Sequence, residues 1–183
     1  MKRRVIIRSP VPSDCEAFLK AAGASRQLHR SWVFPPGTSE AFQVYIQYAT
    51  TPPNCGFVVC TAEEGHLVGV INIGNIIMGM LRSAHVGYYG FAQKTGQGLM
   101  REGMELVIAH AFRKLKLHRL EANIQPANAP SVRFARACGF VREGYSRRYL
   151  KVGRKWQDHE RWALLVEDWR KAQRSTRLNS QAA

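Results

Sequence analysis

Gly96 and Gly98 stand two residues apart in the stretch QKTGQGLM, residues 93–100, with Gln93 three positions ahead and the apolar spacing of a helix directly behind. Glycine accepts positive φ and carries no side chain, so backbone N–H groups at such a turn can come close to a ligand. The first turn of a helix leaves its N–H groups unpaired and holds the positive end of the dipole. Together these make an anion site suited to a phosphate or pyrophosphate. Two related chemistries fail on spacing. A nucleoside-triphosphate loop needs Gly-Lys-Ser/Thr and a dinucleotide fingerprint needs a third glycine, and neither occurs here.

A second set of chemistry-bearing residues lies on LHRLEANIQ, residues 117–125, whose alternation puts Leu120, Ala122 and Ile124 on one face and Glu121, Asn123 and Gln125 on the other. Glu121 is a candidate proton acceptor, with His85 and Asp158 as further candidates and water as another. Each has an ordinary structural alternative: Glu121 can pair with Arg119, His85 can be a satisfied strand residue, and Asp158 can serve a turn or an ion pair. Cys138 sits at a helix end before Gly139, where the dipole raises a thiol pKa, so a covalent cysteine route is not expected.

These residues need elements to position them. A first strand is expected at residues 5–8, followed by a helix that a capping box at Ser13, Asp14, Cys15 and Glu16 opens and Gly23 ends. Residues 26–32 predict a second short helix, and Thr38 or Ser39 caps a third that ends before Pro52 and Pro53. Trp32, Phe34 and Phe42 read as core or groove wall. GFVVCTA, a turn at Glu64-Gly65, LVGVINIGNI, and a strand at residues 82–90 predict three consecutive antiparallel strands.

Beyond the glycine loop, Met100, Met104, Val107, Ala111 and Leu115 mark one stripe of an amphipathic helix. A strand over 117–125 follows. A helix started by Asn128, with Pro130 in its first turn, runs to Gly139, and two long strands then meet at Gly153. No internal repeat is visible. Residues 1–169 read as a single domain, and residues 170–183, polar and basic without apolar periodicity, as a frayed, disordered tail.

Composition narrows the class. Hydrophobic residues make up 45% and charged residues 22% of the 183, ordinary values for a globular chain. No apolar run approaches a membrane span, and the run behind the basic N-terminus stops at Ile7, too soon for a signal peptide. Four scattered cysteines without metal-ligand spacing fit reduced thiols in the cytoplasm, and no metal is expected. The 27 Lys and Arg against 13 Asp and Glu give a formal charge of +14, which attracts phosphates of coenzyme, RNA or DNA alike.

The stretch GYYGFAQKTGQGLM resembles the Q/R-x-x-G-x-G/A signature of the GNAT N-acetyltransferases. HRLEANIQPANAPSVRFARACGF resembles their second motif, and with KWQDH at residues 155–159 the pattern looks most like the RimJ/RimL ribosomal-protein-alanine branch. The resemblance implies an α/β (α+β) fold, with a mixed, mostly antiparallel sheet splayed at the cofactor site and flanked by helices. It implies acetyl-CoA as cosubstrate. Phe91, Ala92, Gln93, Lys94, Gly96, Gln97, Gly98, Leu99 and Met100 would line its pantetheine and pyrophosphate, with a backbone N–H near Phe91 for the oxyanion. Asn128 would hold the pantetheine arm, and Ser131 would protonate the departing thiolate.

Ser131, Glu121 and His85 are therefore the catalytic candidates, although His85 stands where many members carry Glu and Ala135 where many carry Tyr. The implied acceptor is a protein N-terminus, on a ribosomal protein or the ribosome, with nucleic-acid contact at most indirect. Monomer and homodimer both remain open. An α-amine with pKa about 7.7–8.0 is far more often neutral near pH 7 than lysine at about 10.4, which suits an enzyme lacking a strong base. A small-amine acetyltransferase and a catalytically silent coenzyme- or ribosome-binding module are the alternatives.

Overall fold

The computed structural model describes residues 3–181, with side chains through Ser175. Strand β1 (Val5–Arg8) leads into helices α1 (Cys15–Ala24), α2 (Arg26–His29) and α3 (Ser39–Thr50). Strands β2 (Cys55–Thr61), β3 (Leu67–Ile77) and β4 (Ser83–Gly90) follow, then α4 (Leu99–Arg113), β5 (Arg119–Ile124) and α5 (Ala129–Ala137). Strands β6 (Val141–Val152) and β7 (Lys155–Leu165) and helix α6 (Val166–Gln181) complete the chain. The strands form one sheet in the order β1-β2-β3-β4-β5-β7-β6. Every neighbouring pair is antiparallel except β4 and β5. This is the mixed, mostly antiparallel sheet with flanking helices expected from the sequence.

Both faces of the central strands are covered, which is why β2 reads as an unbroken apolar run rather than an alternation. Phe57 and Val59 join Ile71, Ile73, Met104, Val107 and Leu120 in a core under α4. Val58 and Cys60 turn the other way, to Phe18, Phe42 and Phe91 beneath α1 and α3. Helix α4 lies so close to β2 that a Cβ on Gly103 would meet a Val59 methyl at 2.7 Å. Only glycine permits that approach.

Four expectations change. The Asp14 carboxylate, not a Ser13 box, organises the entry to α1: it accepts from Arg8 Nη1 and Nη2 at 2.7 and 2.6 Å and from the Val11 N–H at 2.9 Å. A charge-assisted bidentate pair to β1 outweighs a local hydroxyl cap. Helix α1 also runs through Gly23 to Ala24, because burial of Ala21 and Ala22 carries the turn that glycine weakens. Helix α2 stops at His29, where Arg30 takes a positive φ of 46°. Finally, α6 continues through Gln181 instead of fraying after Trp169. Its nucleus is anchored on β7, and once nucleated a helix of Arg, Lys, Ala and Gln adds residues cheaply.

Candidate active site

Strands β4 and β5 pair at only three positions, Ser83 with Arg119, Ala84 with Leu120 and His85 with Glu121. Beyond them β4 stays with β3 as far as Gly90, while β5 stays with β7 as far as Ile124. The two strands therefore part, and the gap opens into a cavity of about 730 Å³. Phe91 N–H donates to Val68 O at 2.8 Å, so the alternation of the ladder turns residues 85, 87 and 89 toward β3 and Tyr88 and Gly90 toward the gap. The gap-facing backbone groups of Tyr88 and the Gly90 N–H have no strand beside them. His29 Nε2–H donates to Gly90 O at 2.9 Å.

The glycine loop closes one end of this gap. Gly96 and Gly98 take φ of 76° and 75°, and Gly98 is the N-cap of α4. The loop is tied from behind: Ala92 N–H donates to Ser25 Oγ at 2.9 Å, Lys94 N–H to Phe91 O at 3.1 Å and Thr95 N–H to Ala92 O at 3.3 Å. The amides of residues 96–100 have no acceptor among the described residues and form a row of free donors at the helix start. Lys94 and Arg101 add positive charge at the cavity wall. Glu102, the one acid in the first turn of α4, is paired with Arg4.

Opposite the loop, Asn128 Oδ1 accepts the Ser131 N–H at 3.3 Å and caps α5. The Tyr88 hydroxyl lies 2.9 Å from Ser131 Oγ and donates to Ser131 O at 3.2 Å. Burial pushes the Tyr88 phenol well above its ordinary value, so it stays protonated at any working pH. Its ring rests on Phe134 at 4.8 Å between centroids. Ser131 thus has a fixed, proton-bearing partner that the sequence analysis did not identify. The paired tyrosines of GYYG were the available signal, since one of two adjacent strand residues must face α5.

Of the residues expected at the site, Lys94, Gly96, Gly98, Leu99, Met100, Asn128 and Ser131 line the cavity. Phe91, Ala92, Gln93 and Gln97 do not. Phe91 is a core ring, and both its N–H and its carbonyl are spent inside the protein, so the free backbone N–H groups near Phe91 are those of Gly90 and Tyr88.

The proton-transfer candidates also sort themselves. His85 Nε2 lies 3.6 Å from Glu121 Oε2, Arg119 Nε donates to Glu121 Oε1 at 2.7 Å, and Arg119 also holds Glu143. This network sits where β4 and β5 still pair, outside the cavity. Asp158 accepts from the Tyr145 hydroxyl and the Arg148 N–H on the open surface. None of the three reaches the gap.

His159, one residue on from Asp158, does. It is 3% exposed and lines the cavity. Nδ1 lies 3.0 Å from Gln157 O, and since a carbonyl only accepts, Nδ1 bears the hydrogen and Nε2 keeps its lone pair. Burial lowers its pKa below the usual imidazole value. Nearby, Asn123 Oδ1 and the Tyr89 hydroxyl are buried at the cavity wall without a hydrogen-bond partner among the described residues. Unclaimed buried polar atoms at a cavity wall are poised for a ligand.

Residues 4–141 match the acetyltransferase (GNAT) domain family, and the chain belongs to it. A probable N-acetyltransferase, YjcK, of Bacillus subtilis is 38% identical over 61% of this chain and 62% of its own length. The [ribosomal protein uS5]-alanine N-acetyltransferase of Escherichia coli is 34% identical over 58% of this chain and 55% of its own length. The matched stretch is thus a little over half of each relative. Among solved structures, Mycobacterium smegmatis RimJ in complex with CoA-disulfide superposes with a TM-score of 0.81 at 28% identity, covering 90% of this chain and 83% of that one. GNAT acetyltransferases use acetyl-CoA, and the free amides, the open strand edge and the unclaimed polar atoms fit that group.

Proposed function

We propose that the chain is a cytoplasmic N-acetyltransferase that moves the acetyl group of acetyl-CoA to a protein N-terminal α-amine, of the ribosomal-protein-alanine type, with both substrates bound together. The observation that carries this reading is the cavity lining: a row of free backbone donors, three fixed cations (Arg30, Lys94 and Arg101), one unclaimed imidazole and no carboxylate among the described residues. A polyamine acceptor would need acidic partners for its several charges, whereas an α-amine brings one charge and can lose it near neutral pH.

Acetyl-CoA, when bound, supplies the acetyl group as a thioester. The amides of residues 96–100 with Lys94 and Arg101 bind the phosphates. The open edge of β4 at Tyr88 and Gly90 accepts an extended arm as an added strand would be accepted, and its N–H groups are placed to hold a carbonyl oxygen. His159 Nε2 takes the proton from the incoming ammonium, leaving the amine free to attack. Ser131 Oγ, held by Tyr88, keeps a proton available for the leaving sulfur.

The test is release of free coenzyme A with peptides that begin in Ala or Ser and lack lysine, set beside a panel of small amines that includes polyamines. Turnover with the peptides supports the reading. Turnover with small amines alone removes the protein acceptor and leaves the transfer chemistry. Coenzyme binding without any turnover removes the enzyme altogether.

A further inference from the structure

The opposite end of the β4–β5 pair holds a second cavity, of about 520 Å³, between the last turn of α4, the turn into β5, and α6. Arg82 stands just before β4, so this cavity and the gap at Gly90 are separated by the length of the strand, about 25 Å. Five fixed cations face it, Arg82, Arg113, Lys116, Arg170 and Arg174. One carboxylate, Glu167, is also present, and His118 Nε2 lies 3.2 Å from it. None of the five cations has a carboxylate within ion-pair distance among the described residues.

Cations near the end of α4 have an ordinary explanation, because a helix C-terminus carries about half a negative charge and leaves carbonyls to be satisfied. Arg113, in the last turn of α4, does that work, while the Arg82 guanidinium donates to Lys116 O in the turn beyond the helix. The explanation stops there. Arg170 and Arg174 belong to α6, one helical turn apart, and owe nothing to the dipole of α4. Beyond the one in the last turn of α4, four cations without a carboxylate partner among the described residues, Arg82, Lys116, Arg170 and Arg174, repel one another.

Two further features point the same way. Arg82 and Lys116 both take positive φ, 44° and 57°, which L side chains rarely adopt, so two cations of the cluster stand on strained backbone. Arg113 lies over the Trp169 ring at 5.0 Å, and Trp169 packs on Phe112 at 5.5 Å. Stacking fixes the guanidinium plane and leaves its edge N–H groups free for a forked contact with phosphate. The charge also extends past the cavity along α6 through exposed Lys171. A small anion would not need that extension.

We infer that this cavity and the adjoining face of α6 bind the phosphodiester backbone of a nucleic acid, without reading its bases, at a site separate from the acetyl-transfer cavity. Such a contact would hold the protein on a nucleic-acid-bearing assembly while the gap about 25 Å away stays open to an acceptor. The inference does not depend on the identity of that acceptor.

The experiment is fluorescence anisotropy of a labelled RNA hairpin of about 20 nucleotides, titrated with the full chain under saturating coenzyme A at about 50 to 200 mM salt. Four neutralised phosphates predict micromolar binding with a log–log salt slope of about −3. Charge reversal at the exposed pair, R170E with R174E, should weaken binding at least about tenfold and flatten the slope by about 1.5, with peptide acetylation unchanged. A second variant, R113E, tests the same face from α4 and should weaken binding in the same direction. Unchanged affinity in both variants overturns the inference. So does displacement of the hairpin by inorganic triphosphate at equimolar concentration, which would mark a small-anion site. Displacement by polyglutamate as effective as by unlabelled RNA would mark an acidic protein as the partner and overturn it as well.

Discussion

His85 and Glu121, where β4 and β5 still pair, and Asn123 and His159, where they have parted, stand on the same face of one sheet, yet the two pairs have opposite uses. In the first pair every charge is answered: Glu121 is held by Arg119 and faced by His85, and Arg119 is shared with Glu143. In the second, an imidazole nitrogen and an amide oxygen reach the cavity with nothing bound to them. The residue types alone would favour the carboxylate as the base. Availability favours the histidine, since the Glu121 oxygens are engaged by Arg119 and His85 away from the cavity while His159 Nε2 faces into it.

The largest effect expected from this contrast is that of His159→Gln, a fall in kcat on the order of a hundredfold, the usual contribution of a positioned base. Burial holds the folded-state pKa of His159 below the unfolded value of about 6.5, so the ring stays neutral until the pH drops below that value. The acidic limb of kcat/KM should lie there in the native enzyme and be lost in the variant. The stability sign is fixed too. Below about pH 6.5 the unfolded chain binds the proton first, so the native protein loses stability on acidification, and the variant escapes that part of the loss in a pH series of thermal melts.

A smaller effect separates Ser131 from its partner. Ser131→Ala should lower kcat about tenfold and Tyr88→Phe about fivefold, roughly the worth of one hydrogen bond. Because the Tyr88 hydroxyl bears on the leaving sulfur only through Ser131 Oγ, the double variant should be no worse than Ser131→Ala alone. Additive losses in that cycle would mean that Tyr88 has a role apart from Ser131.

The smallest effect on activity belongs to the closed network. Glu121→Gln should leave kcat within about twofold and cost about 1 kcal/mol, seen as a drop of about 2–4 °C in Tm. A hundredfold loss of turnover there, with His159→Gln near normal, would invert the comparison and return the base to Glu121.

Much of this was legible in the chain itself. Gly65, Gly96 and Gly98 take the positive φ that their positions demanded, and Asn128 caps the helix it was expected to begin. The period-2 run over LHRLEANIQ placed Leu120, Ala122 and Ile124 inward, as found. These features depend on a few neighbouring residues, so local chemistry settles them. The entry to α1 was not legible, because the Asp14 carboxylate answers to Arg8 on another element. Helix α6 was not legible either, because its order starts from an anchor on β7 and not from its own apolar pattern.

The sequence by itself determined the order of elements, the positive-φ turn at Gly96 and Gly98 that opens α4 and the motifs that place the chain among the GNAT acetyltransferases, since each is a matter of short-range spacing. The tertiary structure alone decided which polar groups remain free. His159 rather than Asp158 faces the cavity because of the register of β7 on β5, and Tyr88 rather than Phe91 offers backbone to the gap because of the register of β4 on β3. A side chain's chemistry is set by its type, but its availability is set by what lies across from it, and that is fixed only when distant strands pair.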